Sequence, residues 1–531
     1  MHGGRLIVLA LVIIGVSVLR SAEAQPGSPS QDSTARVINV DGRSTVGPLS
    51  SVYKYCVGAG RANEGLRADW QRQLKHAKQK CDFQYIRMHG LLCDDMGVYH
   101  EDHNGKQVYN WQYIDELYDF LESIHVRPFV ELGFMPGQLA SGDRTIFWWR
   151  GNVTPPKDYK KWADLITALV QHWVDRYGVD EVKTWYFEVW NEPNLDGFWT
   201  GGKDEYFKLY SVTAKAVKAV SPDLPVGGPS TAGNAWVPEF IDYCASTHTP
   251  LDFITTHTYG VDVGYLDEFG QHGTVLSKNP DSVSQDVRAV RKQIESSVMP
   301  KLPLHYTEWS ASYTPSDPVH DSYVEAPYIL DKLKNSMDYA DSMSYWTFTD
   351  IFEEAGPRFT PFHGGFGMMN LQDIEKPAFR AYQYLNMLGS TQLACRDERS
   401  LAATDAAGNV QVLFWDFTNY VPEHVNNQDY YITDIKPHKK PAVALHISNL
   451  ATGRYELSVY RVGYRVNDPY ADYFDMGRPS QLTRDQVAQI KKHNDGAPVL
   501  TETIDIHAGE TLSRTYEMRE NDVYLVCANK L

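Results

Sequence analysis

Positive charge is what this chain is short of. Lysine and arginine total 50 against 67 aspartates and glutamates, a net charge of −17 over 531 residues. No basic patch or stripe stands out, which argues against a nucleic-acid partner. Long apolar runs are also missing beyond the first residues, so no later segment reads as a membrane span. The six cysteines (Cys56, Cys81, Cys93, Cys244, Cys395, Cys527) are widely spaced and form no Cys-x-x-Cys. They allow either disulfides in an oxidising compartment or buried free thiols. No Gly-x-Gly-x-x-Gly follows an early strand, which disfavours a dinucleotide site. Gly-x-Ser-x-Gly and His-Glu-x-x-His are absent as well, against a Ser-His-Asp hydrolase or a zinc enzyme. Neither a cofactor nor a metal is expected.

What is present begins with an export pattern. His2 and Arg5 precede an apolar run from Leu6 to Leu19, and Ala22-Glu23-Ala24 supplies a small-x-small cleavage site. Residues 1–24 are therefore expected to be a signal peptide, with a mature start near Gln25 and a secreted or periplasmic protein. Residues 25–39 form a polar leader rich in proline and serine. Asn152-Val153-Thr154 is a sequon, relevant in a host that glycosylates. Aromatics are abundant, with 13 Trp, 33 Tyr and 20 Phe. Much of that excess belongs to cores, but runs such as Phe147-Trp148-Trp149-Arg150 also suit a cleft that stacks on the apolar faces of sugar rings.

From about residue 50, short apolar strands alternate with amphipathic helices. Strands are expected near 49–57, 83–88, 127–132, 184–190, 225–229, 253–259, 304–308 and 342–348. Helices are expected over 111–124, 158–177, 205–220, 284–298, 324–338 and 377–388, with a long loop at 260–282. Eight alternations imply a parallel sheet, and over this length a closed (β/α)8 TIM barrel. After residue 391 the elements become strands separated by turn residues, with one short polar helix near 483–492. The expected fold class is α/β, a barrel over 40–390 followed by a C-terminal β-sandwich over 391–531.

Two strands deliver glutamates. Thr184 to Trp190 is aromatic and β-branched, and it stops at Asn191-Glu192-Pro193-Asn194, because proline removes a donor and disfavours helix at the residue before it. Leu304-His305-Tyr306-Thr307-Glu308 is the second. Two carboxylates on strand ends of one barrel can face each other across a pocket, one protonating a leaving oxygen and one attacking an anomeric carbon. Glu131 and Glu188 also lie in strands, and structural ion pairs inside the barrel are the expectation for both.

Trp190-Asn191-Glu192-Pro193-Asn194, Thr307-Glu308-Trp309 and Tyr345 through Glu354 together resemble glycoside hydrolase family thirty-nine. Pro128 through Pro136 and Pro361 through Gly367 are similar to that family too, and the likeness runs over about residues 40–525. It implies a retaining exo-glycosidase of the β-xylosidase branch. It maps the acid/base to Glu192 after the fourth strand and the nucleophile to Glu308 after the seventh. His89, His257 and Tyr259 match its sugar-binding positions. Asn191 is expected to bind the sugar 2-hydroxyl, Trp346 to form a stacking floor, and Glu354 (or its neighbour Glu353) to accept from sugar hydroxyls. Tyr313 and Phe134 are further pocket candidates. The implied partner is a small carbohydrate, and a homo-oligomer is left open. The rivals within the class are α-L-iduronidase, α-L-arabinosidase and β-glucosidase activities; an iduronidase would need a cation near the pocket, for which Arg358 is the residue to watch. A non-catalytic carbohydrate-binding protein is the rival of a different class.

Overall fold

The computed structural model describes residues 35–266, 272–419, 421 and 425–531. The expected signal peptide and most of the expected leader lie outside them. Among the described residues no helix is long and apolar enough to cross a membrane.

Eight parallel strands close into a barrel: Cys56–Arg61, Tyr85–His89, Arg127–Leu132, Tyr186–Val189, Val226–Thr231, Phe253–Tyr259, Leu304–Ser310 and Ser342–Tyr345. They pair in chain order, and the eighth meets the first at Tyr345 and Val57. Helices wrap the outside by their apolar stripes. Tyr159–Tyr177 shows how: Asp158 caps it by accepting from the Lys160 and Lys161 amides, and Trp162, Leu165, Ile166, Leu169, Val170 and Trp173 are buried at helical spacing. Burying six such side chains contributes an upper bound of about 10–20 kcal/mol, and Trp173→Ala alone would cost about 3–5 kcal/mol.

The first strand departs from expectation. Residues Val52–Tyr55 form a helical turn, and the strand begins only at Cys56. Tyr55 stacks on Tyr85 with ring centroids 4.9 Å apart and shares a 2.6 Å hydrogen bond with Tyr186, helping to plug the barrel floor. The strand itself reads Val-Gly-Ala-Gly, a weak strand signal. Glycine is required at 58, because a Cβ there would lie 2.3 Å from Trp346 Cε3. The stretch expected as a loop at 260–282 instead contains an antiparallel hairpin, Val261–Leu266 with His272–Leu276, and then the start of the next helix at Ser282. Gly264 and Gly273 dilute its strand pattern. Helices Ala68–Cys81 and Val237–Thr247 are also present where no element was expected.

The second domain stacks a seven-stranded sheet on a three-stranded one. Its large sheet is apolar on both faces, since it is covered twice. Val412, Phe414, Tyr524 and Val526 point into the sandwich core, while Leu413, Trp415, Val523 and Leu525 join the hydrophobic cluster of the barrel. The N-terminal segment belongs here. Arg36–Asp41 pairs in parallel with Lys439–Ser448, and Thr45–Pro48 pairs with Thr391–Leu393. The expected leader and the expected barrel start at residue 40 are thereby corrected: residues 36–48 are sandwich strands. Their short, unremarkable sequence gave no hint of partners some 400 residues away.

All six cysteines are free thiols, five of them buried. The Asn152 side chain is also committed, donating to Gly142 O at 2.9 Å and accepting from Thr154 Oγ1 at 2.8 Å.

Candidate active site

The barrel interior is filled in three layers, set by the two-residue period of its strands. The lowest is aromatic, with Tyr85, Phe129, Tyr186, Phe253 and His305 packed ring to ring. The middle layer is ionic. Two residues beyond Tyr85, fully buried Arg87 donates from Nε to Glu188 at 2.5 Å and lies 3.0 Å from Glu131. The strand glutamates are thus ion-paired as expected, on an arginine the sequence reading did not single out. The upper layer, two residues further, holds His89, Asn191, Glu192, His257 and Glu308.

Arg87 couples the layers. Its Nη1 donates to Glu308 Oε1 at 2.7 Å and its Nη2 to Asn191 Oδ1 at 2.9 Å. Tyr259 OH donates to the other oxygen, Glu308 Oε2, at 2.7 Å. Glu308 is therefore held at both oxygens, and Asn191 must turn its amide NH2 away from Arg87. Glu192 is presented by unusual backbone: Trp190 and Glu192 have φ of 72° and 44°, a left-handed conformation that costs of order 1–3 kcal/mol per residue. Pro193 bars Glu192 from ordinary helix, and its amide is fixed by Ser230 O at 2.7 Å. The result brings single donor atoms of Glu192, Glu308 and His257 within 4.8 Å of one another.

Hydrogen-bond logic orients His257. Thr307 donates its hydroxyl proton to Glu188 Oε1 at 2.7 Å, so Thr307 Oγ1 can only accept from His257 Nε2, 3.1 Å away. The neutral imidazole then carries its proton on Nε2 and offers the Nδ1 lone pair to Glu192 Oε1 at 2.9 Å. A lone pair there is satisfied by a protonated carboxyl. Burial acts in the same direction, pushing Glu192 up to about 7 and both His257 and His89 down to about 4. Glu131 is raised by burial to about 8. Burial would raise Glu188 as well, but the Arg87 charge and hydrogen bonds from Arg87 and Thr307 hold it below its ordinary value. Glu354 is pushed well up by burial and by the charges of Glu308 and Glu192.

These groups open into a cavity of about 820 Å³ at the carboxyl end of the strands. His89, Asn191, Glu192, Tyr259, Glu308, Trp346, Glu354 and Tyr313 line it, and His257 stands just behind its wall. Trp346 and Phe366 line it while almost completely buried, so they form its inner wall. Glu354, not Glu353, faces inward, 3.6 Å from His89 Nε2; Glu353 turns away to pair with Arg61 and Arg67. Phe134 is corrected: it is fully buried and packs behind His89, Phe147 and Trp190, and the half-buried Phe147 and Phe198 supply the aromatic wall in its place. Arg87 and Phe198 are the main omissions. His89 pointing inward already required Arg87 to do so by strand alternation, whereas nothing in the sequence marked Phe198.

Glu192, His257 and Glu308 have the donor types and spacing of a metal site. The Arg87 guanidinium on Glu308 places a positive charge where a cation would need none, so the cluster does not suit one. What it suits is acid–base and nucleophilic work by two carboxyls. A close carboxyl pair in a sugar-sized pocket at this end of a (β/α)8 barrel defines the glycoside hydrolase class.

The chain matches the description of the glycosyl hydrolases family 39 over residues 36–505. It is 46% identical over 371 residues to a β-xylosidase of Geobacillus stearothermophilus, covering 68% of this chain and 73% of that one. The crystal structure of a GH39 enzyme from Xanthomonas axonopodis pv. citri superposes with a TM-score of 0.92 at 44% identity, over 95% of this chain and all of that one. A monomeric β-xylosidase from Caulobacter crescentus CB15 gives 0.90 at 45% identity, over 94% and 100%. The protein belongs to glycoside hydrolase family 39.

Proposed function

We propose that the protein is a retaining exo-acting β-xylosidase that releases xylose from xylo-oligosaccharides, with Glu192 as acid/base and Glu308 as nucleophile. The observation that carries the mechanism is the carboxyl spacing. Oxygens of the two groups lie within 4.8 Å, which fits direct attack at about 5–5.5 Å and not the roughly 6.5–9.5 Å gap that an intervening water needs. In the first step a Glu308 oxygen bonds to the anomeric carbon as the glycosidic bond breaks. Glu192 gives its proton to the departing oxygen. In the second step Glu192, now ionised, takes a proton from water. The water oxygen bonds to the anomeric carbon, and the bond to Glu308 breaks. The Asn191 amide is free to donate to the sugar 2-hydroxyl, a contact that tightens toward the transition state.

The β-xylosidase relatives support the sugar. The cavity supports it against a uronic acid, since no lysine or arginine is among its described lining residues. Arg358 is not a lining residue itself, although it donates to Pro315 O of the lining at 3.3 Å and its charge reaches Glu354. The leader motif supports a secreted or periplasmic location. Two measurements test the reading: a panel of nitrophenyl glycosides, on which the β-xyloside should be the preferred substrate, and NMR of the first sugar released, which should be the β-anomer. An α-anomer as first product would overturn the mechanism, and preference for an α-iduronide would overturn the sugar.

A further inference from the structure

Glu353 and Glu354 are adjacent, yet only Glu354 enters the cavity, and the cause lies outside it. Both belong to a turn beyond the eighth strand, closed by the Gly356 amide on Glu353 O at 3.0 Å. On the outer side, Arg61 Nη2 donates to Glu353 Oε2 at 3.0 Å and Arg67 Nη1 donates to Glu353 Oε1 at 3.1 Å. The Glu353 amide donates to Glu64 Oε1 at 2.9 Å, and the Trp148 amide donates to Glu354 O at 2.8 Å. Glu64 is almost completely buried, and Gly60 leaves it room: a Cβ there would lie 2.3 Å from Glu64 Oε2. The turn is thus fixed at its backbone and at its outward side chain. Arg61 is itself held firmly. It ends the first strand, so the barrel sets its direction. Its Nη1 pairs with Asp95 from the loop after the second strand, and its guanidinium carbon lies 5.7 Å from the ring centre of Trp149 from the loop after the third.

Building on the glycosidase reading, we infer that Arg61, assisted by Arg67, is a positioning residue that selects Glu354 over Glu353 as the sugar ligand. Arg61 is not among the residues that line the cavity, so it acts through the turn and not on substrate. Neighbouring side chains of a turn point different ways, so anchoring Glu353 outside commits Glu354 to the inside. The anchor is a guanidinium because its planar fork serves several acceptors at once, here Glu353 and Asp95. Without it, Glu353 loses its partner at Oε2. Glu353 and Asp95 then face the same gap as like charges, and the turn relaxes away from them. Glu354 moves with the turn and loses its aim at the sugar hydroxyls.

The test is a double-mutant cycle on 4-nitrophenyl β-xyloside. Arg61→Met should raise KM about threefold to tenfold, the effect of losing one hydrogen bond to the sugar. KM does not depend on the fraction of molecules that fold, so destabilisation by itself leaves it unmoved. In a Glu354→Ala background the same replacement should change KM by less than about twofold, because the group through which Arg61 acts is gone. Glu353→Ala should reproduce the KM of Arg61→Met, and Glu353→Gln, which keeps one acceptor, should fall between it and the wild type. An unchanged KM in Arg61→Met, or an equal rise in both backgrounds, would overturn the inference. A wild-type protein inactive on the xyloside would instead overturn the reading on which it rests.

Discussion

Replacing Thr307 by valine should move the basic limb of the pH–rate profile downward. Thr307 touches no substrate. Its oxygen is the acceptor that keeps the His257 proton on Nε2 and hence the Nδ1 lone pair on Glu192. Without that acceptor the imidazole gains by carrying its proton on Nδ1, where it donates to Glu192 and favours the ionised form. The other groups acting on Glu192 (His89, Arg87 and Glu131) stay in place, and Glu188 keeps its Arg87 contact. One hydrogen bond to a charged group contributes about 1.5–3 kcal/mol, equivalent to about one to two pH units. The sign follows from the role. Glu192 must hold a proton when substrate binds, so kcat/KM falls as pH rises through its folded pKa of about 7. Lowering that pKa brings the fall to about pH 5–6, with a loss of about fivefold to fiftyfold at pH 7 and near-normal activity in more acid solution. The assay is kcat/KM against pH on an aryl xyloside with a poor leaving group, which depends on the acid. Thr307→Ser keeps the hydroxyl and should keep the wild-type limb. A valine variant whose limb stays put or moves upward would refute the proton assignment.

Glu308→Gly should lower kcat by about four orders of magnitude, about 5.5 kcal/mol of barrier. Azide should then rescue turnover of an activated xyloside and give the α-xylosyl azide; with Glu192→Ala the azide product should be β. The same product configuration from both variants would contradict the assigned roles. Arg87→Met leaves the buried Glu188, whose carboxylate Arg87 helps hold in the ionised form, without a countercharge and should destabilise the fold by about 3–5 kcal/mol, read by denaturant unfolding. A loss below about 1 kcal/mol would show that this carboxyl is neutral without it.

The barrel and its two glutamates were legible because both rest on local rules. Arg127–Leu132 and Phe253–Tyr259 have the strand bounds expected from pattern alone, and Glu192 is marked by the proline that ends its strand. What was not legible depends on distant partners. The first strand is glycine-rich because Trp346 presses on it, and that pressure comes from the last strand. Arg87 reads as an ordinary surface residue until alternation with His89 places it inside. Phe134 and Phe147 are both aromatic loop residues, and only the packing of Trp149 and Phe198 decides which one meets the cavity. The sandwich strands at 36–48 carry no local signal of their remote partners.

That last pairing sets an order on biosynthesis. Arg36–Asp41 leaves the ribosome early, yet the strand beside it, Lys439–Ser448, is translated some four hundred codons later. Meanwhile the nascent chain carries an unpaired, half-apolar ribbon ahead of a barrel that can already close behind it. Truncation anywhere before residue 439 leaves that ribbon without the strand it pairs with, so nonsense alleles release an exposed edge together with an otherwise shaped pocket.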